Sequence, residues 1–172
     1  MKSFPYIMPA FVILALLFSS CEPLEKVGEV PEIKFKSYTP VMVDTFGIQR
    51  PGAILAFNFK DGDANFGIDP TLQNPDTANL FLLPYQKING AYDSIDFRTY
   101  GRWYPILRDA KMDRTSGNTT VKGEIQLTIV YFLPPPFDTI RYDFYITDRA
   151  GNKSNVESTT DIAVSDMNFP EW

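Results

Sequence analysis

Three observations predict that this chain is all-β, an immunoglobulin-like antiparallel β-sandwich of about seven strands. Short segments alternate apolar and polar residues, as where Leu55, Phe57 and Phe59 oppose Ala56, Asn58 and Lys60. That is the period of a half-buried strand. Clusters of Gly, Pro, Asn and Asp stand between the segments, and no stretch carries a helical period. A jelly roll is the alternative that uses the same signals.

Taken in order, Glu32 to Tyr38 alternates weakly and stops at Thr39-Pro40, which reads as a first edge strand. Asp44 to Gly52 reads as a loop into the strand at Leu55 to Lys60. That strand runs into Asp61-Gly62-Asp63-Ala64-Asn65-Phe66-Gly67, whose residues bond their own backbone or accept positive φ. Pro70 to Ala78 is a polar loop. Asn79 to Ile88 is strand-like, with Pro84 demoting it to an edge or a bulge. Asn89-Gly90 is the strongest hairpin signal in the chain and returns it through Tyr92 to Thr99. Tyr100 to Leu107 is aromatic, and Asp109 to Thr120 is a polar excursion. Val121 to Leu133 places Ile125, Leu127, Ile129 and Tyr131 on one face before three prolines stop it. Thr139 to Thr147 leads into Asp148-Arg149-Ala150-Gly151-Asn152, and Glu157 to Val164 closes the fold. Tyr142, early in the penultimate strand, is either a tyrosine-corner residue or a core tyrosine.

The N-terminus carries an address. Lys2, an apolar run from Tyr6 to Phe18 and the small pair Ser19-Ser20 describe a secretory signal peptide over residues 1–20. The run is shorter than the ~20 residues a bilayer requires. Leu17-Phe18-Ser19-Ser20-Cys21 resembles the lipobox of bacterial lipoproteins, which implies that Cys21 becomes an acylated first residue. Residues 21–31 read as a tether, and 32–172 as one sandwich domain.

Composition closes several functional classes. The chain has 172 residues, a net charge of −5, one cysteine and no histidine. The acidic balance argues against nucleic acid as a partner. Without histidine there is no Ser-His-Asp triad and no histidine-ligated metal. With a single cysteine, no internal disulfide staples the fold.

Taken together, the lipobox, Phe59 to Gly67, Asn79-Leu80-Phe81 with Lys87 to Gly90, Lys122 to Ile125, and Asp138 to Tyr142 running to Asp148 to Asn155 resemble small envelope lipoproteins of Bacteroidota-type bacteria. The resemblance implies an immunoglobulin-like domain on a lipid anchor. It also implies the outer membrane, since Glu22 stands where an inner-membrane retention signal carries aspartate. The first turn of that group reads D-G-D-G-D-I-G, and here Ala64 and Asn65 replace a glycine and an aspartate. Asp76-Thr77-Ala78, Asp93-Ser94-Ile95 and Asp138-Thr139-Ile140 resemble the group's short O-glycosylation motif, with Thr77, Ser94 and Thr139 as acceptors.

Two candidate sites and one enzymatic alternative follow. Tyr100, Arg102 and Trp103 would stack on and hydrogen-bond a glycan or a protein partner, unless Trp103 fills the core as large aromatics usually do. A carboxylate-dependent glycosidase or other hydrolase is the enzymatic alternative, although no spacing marks a pair. Asp61, Asp63, Asn65 and Asp69 recur with the every-other spacing that opens a calcium loop. Phe66 and Leu72 stand where that loop needs glycine and glutamate, so Asp148 of the second turn would have to complete the set.

Overall fold

A computed structural model describes residues 28–72, 77–108, 120–132, 135 and 137–167. The signal peptide, Cys21, most of the tether and Asp76 lie outside the described residues, as does nearly all of the Asp109 to Thr120 excursion.

Two antiparallel sheets form the sandwich. The first holds β1 (Glu32–Thr45), β2 (Ile48–Asp61) and β6 (Val121–Val130) in the order β1-β2-β6. The second holds β3 (Leu80–Ile88), β4 (Ala91–Ser94), β5 (Arg102–Tyr104), β7 (Thr139–Ile146), β8 (Glu157–Ser158) and β9 (Ile162–Ala163). Its path is β4-β3-β7-β8, with β5 beside β3 and β9 beside β7. In immunoglobulin lettering this is A-B-E against C′-C-F-G, the predicted architecture. A single helical turn, α1 (Phe97–Tyr100), interrupts the segment read as a continuous return strand. Among the described residues no helix is long and apolar enough to cross a membrane.

The core follows strand parity. Leu55, Phe57 and Phe59 of β2 face Leu80 and Leu82 of β3 and Tyr142, Phe144 and Ile146 of β7, all buried. Phe57 and Phe144 pack at 5.2 Å between ring centroids. Ile129 and Tyr131 belong to the same cluster, with Ile125 and Leu127 packed against it.

Three strand-level expectations need correction. Asp44 to Gly52 is not a loop: β1 and β2 are long strands joined by a tight hairpin at Phe46 and Gly47, whose φ values are 54° and 82°. Pro40 is tolerated because β1 is an edge strand, and Pro51 lies just beyond the β2–β6 ladder. Pro84 does not make β3 an edge. The β4 ladder covers Tyr85 to Ile88 and the β5 ladder covers Leu80 to Leu82. Pro84 falls between them, and its carbonyl accepts the Ile95 N–H on that side, so its missing donor faces a gap in the pairing. The closing segment is two short strands, β8 and β9, rather than one. The Asn89-Gly90 hairpin forms as read, with φ of 51° and 83°.

Tyr142 is a core tyrosine. It is buried edge-on against Tyr38 at 6.1 Å, and its hydroxyl meets that of Tyr131, which also bonds the Tyr38 hydroxyl.

Candidate functional site

Residues 102 to 104 lie in one extended strand, so their side chains alternate between faces. Arg102 and Tyr104 turn inward. The Arg102 guanidinium lies 4.9 Å from the centre of the Tyr131 ring, and its charge is felt by the hydroxyls of Tyr142 and Tyr104. Burial opposes its charge, but these phenol oxygens more than compensate and raise its pKa. Burial raises the Tyr38 and Tyr131 phenols well above the usual range. Arg102 therefore belongs to an interior polar network and does not face outward with Trp103.

Trp103 turns outward and is 53% exposed, so it does not fill the core. Tyr100 sits on α1, edge-on to Phe137 at 5.3 Å. The three expected binding residues thus do not share one face.

What Trp103 does join is a row of rings that sequence reasoning missed. Its register partner on β3 is Phe81, and the partner of Phe81 on β7 is Tyr145. All three sit at outward-facing positions of their strands. Phe81 and Tyr145 stack at 5.1 Å with 19° between their planes, and the Lys153 ammonium stands 3.8 Å from the centre of the Tyr145 ring. Farther along the same face, Arg141 lies 3.7 Å from the Tyr92 ring and pairs with Asp143 at 3.1 Å. Lys87 pairs with Asp161 at 3.0 Å, and that bond raises the lysine pKa. The Asp161 carboxyl is pushed up by partial burial, but the Lys87 and Tyr92 bonds prevail and hold it below its ordinary value. The outer face of the larger sheet therefore carries an aromatic end and an ionic end.

The acidic turns form a second feature. The two turns meet as read: Arg149 donates from Nε to the Asn65 carbonyl at 2.7 Å. Parity extends the inward face of β2 from Phe59 to Asp61, which is 0% exposed. Phe66 folds back over Phe59 at 5.0 Å, and its N–H donates to Asp61 Oδ2 at 2.8 Å. Burial raises the Asp61 pKa to about 6, with the neighbouring Asp63 and Asp148 charges adding to it. Asp63 accepts from the Asn65 side chain at 2.6 Å. Asp69 accepts from the Thr71 hydroxyl and amide, which lower its pKa. Asp148 accepts from the Asn152 amide and side chain, both at 2.8 Å. Among the described residues no three of His, Cys, Asp and Glu gather closely enough to hold a metal.

Thr77 and Ser94 are exposed, and Thr139 is half-buried at the start of β7. No family model matches the chain, and neither a curated protein nor a solved structure matches it.

Proposed function

We propose that this protein is a non-catalytic lipoprotein of the outer membrane, secreted through its signal peptide and anchored at Cys21. Its sandwich domain holds carbohydrate on the outer face of the larger sheet. The observation that carries this reading is the Trp103–Phe81–Tyr145 row, three rings side by side on three paired strands. The exposed Trp103 ring covers the apolar C–H face of a sugar, the half-buried Phe81 and Tyr145 rings extend that apolar strip, and the Lys153 ammonium bonds hydroxyls at the rim. The large sheet supplies a rigid support for them.

The geometry of Asp61 argues against the glycosidase alternative. Asp61 has the raised pKa of a general acid beside a second carboxylate, but its complete burial keeps a glycosidic oxygen out of reach. Titration of the purified protein with soluble envelope polysaccharides tests the proposal. Saturable binding that fails in Phe81→Ala and Tyr145→Ala supports it. Binding only to proteins, or steady hydrolysis of the glycan, overturns it.

A further inference from the structure

We propose that the turn after β2 binds a calcium ion through Asp61, Asp63 and Asn65. Asp61 is wholly buried at an inward position of β2, and only its Oδ2 is engaged, by the Phe66 amide. Its Oδ1 is enclosed with no hydrogen-bond partner, and so is Oδ1 of Asn65. A carboxylate oxygen shut away from water is costly unless a donor or a cation meets it. The Asp63 carboxylate stands two residues on in the same turn, close enough for its charge to raise the Asp61 pKa.

Arg149 spends its Nε on the Asn65 carbonyl, fastening the turn rather than neutralising it. Lys60, one residue before Asp61, has the opposite parity on β2. An all-oxygen donor set of two carboxylates and an amide selects a hard cation. Calcium accepts such irregular sets, whereas magnesium demands near-octahedral geometry. Backbone carbonyls and water would complete the shell.

The ligand set is narrower than spacing alone suggested. Asp63 also accepts from Asn65, at 3.3 Å on Oδ1 and 2.6 Å on Oδ2, but it lies in the same turn as the enclosed Asp61 oxygen, whereas Asp69 is engaged by Thr71 and Asp148 by Asn152 in turns of their own. Two carboxylates make a weak site, with a dissociation constant of ~0.1–1 mM, the range of extracellular calcium modules.

The test is calorimetric titration of the purified protein with calcium chloride, repeated with magnesium chloride. One ion per chain is expected, with magnesium binding ~10-fold more weakly. Asp63 is more exposed than Asp61, so Asp63→Ala should fold and weaken binding by ~10-fold or more, while Asp69→Ala should bind as the parent does. Asp61→Asn, which keeps the shape of the side chain, should also lose binding. The proposal is overturned if 10 mM calcium (~10 times the expected constant) gives no saturable binding. It is equally overturned if Asp63→Ala binds normally, or if Asp69→Ala is the variant that fails.

Discussion

Arg102 and Trp103 are sequence neighbours that should fail in opposite ways. Replacing Arg102 with Met keeps most of the stem volume but removes the guanidinium from the Tyr131 ring, 4.9 Å away, and from the Tyr142 hydroxyl. A partly desolvated cation–π contact contributes about 0.5–2 kcal/mol, and a hydrogen bond to a charged group about 1.5–3 kcal/mol. The expected loss is therefore about 2–5 kcal/mol. For a chain of this size that lowers the melting temperature by roughly 5–15 °C. Trp103 is 53% exposed, so Trp103→Ala removes only about half of a large ring's burial. At ~25 cal/mol per Å² and ~100 Å² covered, less the compactness of the unfolded chain, the loss is about 1–2 kcal/mol. Binding separates the two residues. Truncating an aromatic anchor costs more than ~1.4 kcal/mol, or tenfold in affinity, whereas the inward arginine should leave affinity unchanged. Scanning calorimetry and glycan titration on both variants provide the assay. An Arg102→Met protein that melts normally but no longer binds would refute the assignment of faces. So would a Trp103→Ala protein that binds normally and loses the ~3–5 kcal/mol typical of a buried aromatic.

Cys21→Ala should move the protein from the membrane fraction to the soluble fraction with its fold intact, read by fractionation and circular dichroism; continued membrane retention would contradict the anchor. In excess chelator, Asp61 should make stability fall as pH rises. The raised pKa means the folded state holds a proton that the unfolded state releases, so the contribution is complete below about pH 4 and is lost through about pH 6. Between pH 5 and 7.5 this amounts to about 1.4 kcal/mol in urea unfolding, and Asp61→Asn should flatten the profile. Tyr38→Phe removes one of the hydrogen bonds of the buried Tyr131 hydroxyl, leaving that to Tyr142, and should cost about 1 kcal/mol. Adding Tyr131→Phe should cost much less than its own single change, and a double-mutant cycle showing simple additivity would contradict the paired hydroxyls.

Strand parity made much of the fold legible. The alternation at Leu55 to Phe59, at Ile125 to Tyr131 and in β7 identified inward-facing residues before any pairing was known. Asn89-Gly90 was legible because that pair accepts the positive φ its hairpin needs. The same parity, carried two residues past Phe59, also placed Asp61 inside, and along β5 it separated Arg102 from Trp103. The spacing of the acidic residues and the clustering of aromatics drew attention away from both. The Phe46–Gly47 hairpin was hidden by Pro40 and Pro51, which resemble stops until the edge of the sheet is known. The Trp103–Phe81–Tyr145 row was not legible at all. It exists only through the register of β3 with β5 and β7, and tertiary pairing sets that register.

The central claim is that the outer face of the larger sheet holds carbohydrate. Its most direct measurement places the purified protein on an array of bacterial envelope and environmental polysaccharides, beside the variant carrying Trp103→Ala, Phe81→Ala and Tyr145→Ala. The account predicts that the parent is retained by at least one glycan class and released by the same glycan in solution, while the folded triple variant is not retained. An unretained parent, or a triple variant that binds as well as the parent, would contradict it.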